Sequence, residues 1–431
     1  QRGVAERFLS AGQAMQVQGF GTIPLDISDV PTRRNHGLAL WQRDIERILA
    51  DWVLGDLGVP ILRSCEVVGL TQDDAGVDLE LAGGGSRRAA YVVGCDGGRS
   101  VVRKAAGIAF TGSNPTTSWM IAEIEVDGDP ELGFRRDRLG QHAMGRRAPD
   151  EPIHVVLTEA EVDHAGPPTL EELREALVAV YGTDHGLRRA SSISRFTDAT
   201  RQAVAYRAGR VLLAGDAAHI HPPQGGQGLN VGVQDAVNLG WKLAMVVHGT
   251  APDALLDTYH AERHPVGARA IQLTRAAVAL TSPDDHHQAL RDVVTDVLAL
   301  DGPRHLLATR LAGLDVRYDL GEGHPLLGRR MPDLELATAD GPVHASSLLH
   351  DARPVLLDLG AGVGDREVGP WANRVRSVVA RHDGPWELPV VGPVPGPGAV
   401  LIRPDGHVAW VGGEDGADDG LEAALATWFG P

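Results

Sequence analysis

Residues 210–242 constrain this chain more than any other stretch: RVLLAGDAAHIHPPQGGQGLNVGVQDAVNLGWK. Residues 210–214 form a short apolar run with the length of a buried strand. Gly215 and Asp216 end it. Residues 221–228 are so rich in proline and glycine that neither strand nor helix runs through them. From Leu229 apolar residues recur at helical spacing, at Leu229, Val233, Ala236, Val237, Leu243 and Val247, and Gly249 supplies a helix stop. The order is strand, acidic turn, glycine loop, helix.

That order suits a ligand carrying sugar hydroxyls and phosphate. A carboxylate at a strand end accepts hydrogen bonds from hydroxyls. Glycines let backbone N–H groups approach a ligand, and the first turn of a helix offers free N–H donors at its positive end. An ordinary surface loop accounts for any one of these letters, but less well for GD, PP and GGQGLN in succession.

The stretch GDAAHIHPPQGGQGLNVGVQDAVNLGWKL resembles the second FAD motif of the class A flavoprotein monooxygenases, which share the para-hydroxybenzoate hydroxylase-like fold. The resemblance implies that Asp216, following Gly215, bonds the ribityl chain. It places Pro222, Pro223, Gln224 and Gly225 beside the isoalloxazine, and Gly228, Leu229 and Asn230 at the flavin pyrimidine edge. A second stretch, AYVVGCDGGRS, reads as a buried strand ending in Asp96-Gly97-Gly98 before the helix SVVRKAAG. It resembles the DG motif of the same family, in which Asp96 and Gly97 would border FAD and the nicotinamide approach. By the same resemblance Val67 meets the adenine through its backbone. Gln42, at the start of a helix over 42–52, matches a glutamine that reaches FAD; a solvated helix-start glutamine fits it equally well.

Elsewhere the pattern predicts a short helical piece over residues 4–11, then loop to residue 36. Residues 60–96 read as a β-meander, VPILRSCEVVGLTQ and GVDLELAG supplying strands. Residues 110–205 are α+β in character. Their strands are SWMIAEIEVD, IHVVLTEAEV and ISRFTDATRQAVAY, and their helix TLEELREALVAVYG opens on a Thr169–Glu172 capping box. A helical pair follows Pro252, broken at Pro265. From Gly321 a new unit resembles the thioredoxin-like C-terminal domain of actinobacterial polyketide hydroxylases and rifampicin monooxygenases. It has no CxxC, which excludes thiol redox work there. Within it VLLDLGAGVGD resembles the glycine motif of S-adenosylmethionine methyltransferases, but the remaining chain is too short to complete a doubly wound nucleotide domain.

Composition narrows the classes further. A chain of 431 residues, 43% hydrophobic, supports two or three domains. A net charge of −17 argues against nucleic acid and anionic membrane surfaces. No apolar run approaches the roughly 20 residues of a membrane span, and no signal peptide is visible. Cys65 and Cys95 make neither a disulfide framework nor a metal cluster. Lying in apolar runs, they read as buried small hydrophobes, consistent with the cytoplasm. His260 and His264 are four apart, but Glu262 sits at i+2, not at the i+1 that HExxH requires, so these are surface or interface histidines. His219 and His221 lack companion ligands, and no metal is expected.

The fold class is therefore α/β and α+β. A Rossmann-like FAD-binding domain occupies 1–110 and 205–320, a substrate-binding β-sheet domain is inserted at 111–204, and the thioredoxin-like domain spans 321–431. The chain begins at Gln1 and contains no strand–GxGxxG–helix unit. Flavin enzymes of this fold open with one, so a piece of roughly 30–60 residues is expected to be absent from the N-terminus. The resemblance implies an FAD-dependent monooxygenase consuming NAD(P)H and O2. It would hydroxylate a polycyclic aromatic polyketide or related phenolic through a C4a-hydroperoxyflavin, as a monomer or homodimer. Baeyer–Villiger oxygenation or antibiotic inactivation by the same chemistry stays open. A scaffold that has lost FAD binding is the alternative of another class. No nucleophile or metal triad stands out, as expected where the cofactor carries the chemistry. Arg201, in FTDATRQAVAY, is a candidate clamp for a phenolate. Its structural alternative is pairing with Asp198 or a loop carbonyl.

Overall fold

The computed structural model describes residues 1–146, 148–149, 151–162, 166–363, 368–413 and 420–431, and of Gln224 the backbone alone. Its helices are α1 (Ala5–Ala11), α2 (Gln42–Asp51), α3 (Val101–Ala105), α4 (Leu170–Tyr181), α5 (Gln227–Val247), α6 (Asp257–Ala279), α7 (Asp285–Leu298), α8 (Asp301–Leu311) and α9 (Leu421–Phe429).

The centre of the molecule is a small parallel pairing. Val92–Gly94 runs parallel to Val211–Leu213, and Arg207–Ala208 adds an antiparallel edge. These strands are short and apolar, as elements covered on both faces must be. Helices α3, α5 and α6 cover them, with Val102, Leu239 and Tyr259 buried against Leu212 and Leu213. An antiparallel meander of Val67–Gln72, Val77–Leu81 and Ser86–Ala89 leads into this unit.

A five-stranded antiparallel sheet interrupts it, in the order Gly133–Asp137, Gly140–Gly145, Ile153–Thr158, Ser118–Val126, Leu187–Thr197. Alternation gives it two unlike faces. Met120, Ala122, Ile124, Val155 and Leu157 pack under Leu173 and Leu177 of α4. The other face carries Trp119, Ile121, Glu123, His154, Val156 and Phe196 by register. The capping box of α4 forms: the Glu172 N–H donates to Thr169 Oγ1 at 3.2 Å, and the Thr169 N–H donates to the Glu172 carboxylate at 2.6 Å. The chain returns through Thr200–Ala203, which lies between Phe110–Ser113 and His219–Ile220 in a three-stranded sheet.

The C-terminal six-stranded sheet has the order Gly341–His344, Glu335–Thr338, Arg376–Arg381, Val355–Asp358, Ala399–Ile402, Val408–Gly412. Leu421, Leu425 and Phe429 of α9 pack onto it beside Trp241 of α5. The glycine-rich turn after Val355–Asp358 is tied internally: Asp358 Oδ1 accepts from the N–H groups of Gly360 at 2.9 Å and Gly362 at 3.2 Å. Residues 364 and 365, the end of that motif, lie outside the described residues.

Four local expectations are corrected. Residues 13–26 are not loop, although 27–36 are. Val17–Phe20 and Ile23–Asp26 form a hairpin whose Phe20, Ile23 and Leu25 fill a core with Leu280, Leu298 and Leu311 of the helical segment. The first half of VPILRSCEVVGLTQ is not strand, since only Val67–Gln72 pairs, and Leu57, Val59, Ile61 and Leu62 are exposed. A run of apolar residues becomes a strand only where a neighbouring strand takes up its backbone groups. For the same reason Cys65, in that exposed segment, and Cys95, just past the end of Val92–Gly94, are exposed free thiols, not buried ones. Finally, α6 passes through Pro265 unbroken. The carbonyl that loses its intrahelical donor belongs to Ala261, which is exposed, so water can satisfy it.

Candidate functional site

The two motif turns leave the same end of the central parallel pair. Val92–Gly94 runs into Asp96-Gly97, and Val211–Leu213 runs into Gly215-Asp216. The Ala214 N–H donates to the Gly94 carbonyl at 3.0 Å, extending the pairing to the threshold of both turns. Ligands of open α/β sheets bind in the crevice at such carboxyl ends.

The two acidic residues are used differently. Asp96 is turned inward to the start of α3. Its carboxylate accepts from Ser100 Oγ at 2.5 Å and from the N–H groups of Val101 at 2.7 Å and Val102 at 3.1 Å. Asp96 thus organises a helix start, leaving Gly97, with φ +78°, to border the crevice by backbone. Asp216 is exposed in the short 3-10 turn Gly215–Ala217, and its side chain makes no hydrogen bond or ion pair among the described residues.

A buried frame holds the Asp216 turn. Gly215 has φ +60°, and a Cβ on Gly232 of α5 would meet Gly215 Cα at 3.1 Å, so the turn is seated against the helix. One turn further along α5, Asp235 accepts from the Gly215 N–H at 3.1 Å, His219 Nε2 at 2.7 Å and Arg263 Nε at 2.7 Å. Burial alone raises the Asp235 pKa, but the His219 hydrogen bond and the Arg263 charge outweigh it and keep the group below the usual carboxylate range. Arg103 of α3 joins the two turns, donating to the carbonyls of Gly98 and Ala217, each at 2.9 Å, with its guanidinium 3.7 Å from the Phe110 ring centre.

The loop after the turn begins with buried Pro222 and exposed Pro223. Gly225 and Gly226 follow with φ +76° and +65°, the left-handed region open to glycine at little cost. No side chain caps α5 among the described residues, which leaves its first N–H groups as donors. Gly228 is half-buried, while Leu229 and Asn230 are exposed, and Asn230 Nδ2 donates back to the Gly226 carbonyl at 3.0 Å. The side chain of Gln224 lies outside the described residues.

The remaining candidates stand on other elements. Gln42 opens α2, exposed, and donates to Glu46 at 2.9 Å. Val67 opens the edge strand of the meander, paired with Leu81. Arg201 sits between Gly112 and Ile220. Its guanidinium donates to Asn114 Oδ1 at 2.6 Å and to the Phe110 carbonyl at 3.4 Å. It does not pair with Asp198, which instead accepts from Thr116 and Thr117. The structure thus brings Asp96, Gly97, Gly215 and Asp216 to one edge, and ties Arg201 into its own sheet.

No group of three or more His, Cys, Asp or Glu side chains converges among the described residues. His260 and His264 are half-buried, with ring centres 4.7 Å apart, packing beside Tyr206, and burial lowers the pKa of both. Two clefts of about 380 and 350 Å³ lie elsewhere. One is beside His382 and Trp386, the other beside Asp253 and His260; neither borders the motif turns.

The FAD binding domain family matches residues 1–274, and the C-terminal family of the aromatic-ring hydroxylases matches residues 324–431. The chain belongs to the FAD-dependent aromatic-ring hydroxylases. This hydroxylase is 43% identical to a rifampicin monooxygenase of Streptomyces venezuelae, covering 100% of this chain and 88% of the relative. It is 41% identical to the 12-dehydrotetracycline 5-monooxygenase/anhydrotetracycline 6-monooxygenase of Streptomyces rimosus, with the same coverage. Among solved structures, the OxyS anhydrotetracycline hydroxylase from Streptomyces rimosus superposes with a TM-score of 0.92 at 41% identity, over 100% of this chain and 88% of that one.

The residues present fit the cofactor of such a hydroxylase. Among the described residues an exposed carboxylate without a partner, a glycine cradle and a helix start without a side-chain cap lie along one stretch of chain, and each supplies what a sugar- and phosphate-bearing flavin needs. No helix is long and apolar enough to cross a membrane among the described residues. Sequence reasoning missed Arg103, Asp235 and Arg263. The signal for the first was an arginine in the helix after the DG turn; for the others, charged letters within apolar helical repeats.

Proposed function

We propose that this hydroxylase inserts one oxygen atom of O2 into a polycyclic aromatic polyketide or related phenolic, with NAD(P)H as electron donor. The observation that carries this is the pairing of the two motif turns at one strand edge, with Asp216 exposed and unpaired between the Asp96 turn and the start of α5. On this reading residues 1–110 and 205–320 form the cofactor unit, 111–204 cover the substrate, and 321–431 are structural. Bound flavin supplies the oxygen chemistry.

The protein's own residues do the rest. Asp216 receives the ribityl hydroxyls. Gly97, Pro222, Pro223 and Gly225 line the ring by backbone, and the N–H groups at Gly228, Leu229 and Asn230 face its electron-rich edge. Gln42 and Val67 complete the cofactor contacts from α2 and the meander. The substrate lies under the open face of the five-stranded sheet. There Trp119 stacks on Phe196 with ring centres 5.2 Å apart, and Trp41 stacks on His154 at 3.9 Å. Flat aromatic surfaces suit a fused-ring ligand and help exclude water. The cytoplasm, where NAD(P)H is regenerated, is the compartment this reading implies.

The test is FAD retention. Asp216→Ala removes charge-assisted hydrogen bonds, and FAD affinity should fall about 10- to 100-fold. Unchanged flavin occupancy after dialysis would contradict the assignment.

A further inference from the structure

Asp235 lies at the third turn of α5 and is fully buried. Its position excludes direct contact with a ligand in the crevice, yet it holds the first N–H of the cofactor turn, as Arg103 holds the turn's last carbonyl. One carboxylate serves three donors from three segments: the Gly215 backbone of the turn, His219 in the strand just beyond it, and Arg263 of α6. Arg263 is fully buried as well, and it also donates to the Val231 carbonyl at 3.2 Å, tying α6 to the first half of α5. His219 uses Nε2 as donor to Asp235, while its Nδ1 is buried with no partner among the described residues. A carboxylate on one nitrogen and nothing on the other fixes the tautomer with its proton on Nε2. The ring therefore serves Asp235 alone.

We propose that Asp235 is a positioning residue for the flavin: by fixing the Gly215–Ala217 turn from beneath, it sets the aim of the Asp216 carboxylate and thereby the affinity for FAD. The inference rests on the flavin reading above. No other acidic side chain reaches the turn's first N–H among the described residues, and the turn's glycine, in the left-handed region, has no side chain of its own to hold it. Removing the acceptor frees Gly215 from α5 and unties His219 at the same time. Asp216 would then sample directions other than the crevice. Gly215 and His219 share one carboxylate oxygen and Arg263 takes the other, so asparagine at 235 keeps the volume but sets its NH2 either against Arg263 Nε or against the turn and His219, and the frame loses an acceptor either way.

The experiment is a double-mutant cycle on FAD dissociation constants, measured by flavin fluorescence quenching on Asp235→Asn, Asp216→Ala and the double variant. Absorbance spectra of the bound flavin and thermal melts of the apoproteins are recorded alongside. Asp235→Asn should weaken FAD at least about tenfold, and the double variant should bind no worse than Asp216→Ala alone, because Asp235 acts through Asp216. A second pair guards against a variant that fails to fold. His219→Gln, which keeps a donor at the reach of Nε2, should bind FAD like the wild type, and His219→Ala should share the defect of Asp235→Asn. Effects of Asp235→Asn and Asp216→Ala that multiply would overturn the proposal. So would an unchanged dissociation constant in Asp235→Asn, or equal defects in His219→Gln and His219→Ala. Failure of the wild-type protein to bind FAD at all would overturn the flavin reading, and this inference with it.

Discussion

Arg403 and Glu262 form a buried bidentate ion pair, with guanidinium nitrogens 2.6 and 2.8 Å from the carboxylate oxygens. Arg403 follows the C-terminal strand Ala399–Ile402, whereas Glu262 lies on α6. Lys242 of α5 donates to the same carboxylate at 2.8 Å, and Asp405 closes the cluster on Arg403. The C-terminal sheet is thereby locked to α5 and α6, whose Asp235 and Arg263 frame the Gly215–Ala217 turn. Arg403→Ala leaves Glu262 and Asp405 buried without their main counter-charge. It should destabilise the protein by about 3–5 kcal/mol in denaturant titration. Arg403→Met combined with Glu262→Gln should cost less than Arg403→Ala alone; an equal or larger cost would show that the pair is not coupled.

Acid should unfold the protein through the same cluster. Burial alone would raise the Glu262 pKa, but Arg403 and Lys242 outweigh it and hold it at about 2, below its ordinary 4.5. Asp405 is depressed in the same direction, chiefly by Arg403 working against its burial. A carboxylate with a lowered folded pKa contributes stability above its unfolded pKa and loses it as the pH falls through the folded one. Urea midpoints should therefore decline from about pH 4.5 towards pH 2, and Glu262→Gln should flatten that decline.

The strand–turn–loop–helix order of the cofactor crevice was legible because proline, glycine and apolar spacing are local signals. Both motif turns lie where their letters place them, and α5 begins within two residues of the periodic run. Three features were not legible. The hairpin at Val17–Phe20 and Ile23–Asp26 is stabilised by helices more than two hundred residues away, so no local window contains its reason. The exposure of Cys65 depends on a strand that starts later than its apolar run, and that of Cys95 on a strand that ends before it. The roles of Asp235 and Arg403 arise from charges meeting across elements, a matter of tertiary distance and not of spacing.

Arg201 shows the same limit at the site itself. Its guanidinium donates to Asn114 and, at 3.4 Å, to the Phe110 carbonyl, contacts that favour a tie between strands over a substrate clamp. Arg201→Ala should lower stability by about 1 kcal/mol while leaving substrate KM unchanged. A raised KM with unchanged melting would restore the clamp.

Substrate recognition should respond instead to the aromatic face of the five-stranded sheet. Trp41→Ala removes the ring that stacks on His154 at 3.9 Å. If that ring also stacks on the substrate, its loss is worth about 0.5–1.5 kcal/mol and KM for a fused-ring phenol should rise about 2- to 10-fold. Flavin content should stay at the wild-type level; a KM that does not move would place the substrate elsewhere.

The central claim is that the bound flavin transfers one atom of molecular oxygen to a fused aromatic ring. The most direct measurement is mass spectrometry of products formed by the FAD-loaded full-length protein from a panel of polyketide phenols, with NADPH under isotopically labelled O2. The account predicts one labelled oxygen atom per product molecule, on an intact ring skeleton, with NADPH consumed only when FAD and a ring substrate are both present. A product with unlabelled oxygen, or a rearranged product of unchanged mass, would contradict it.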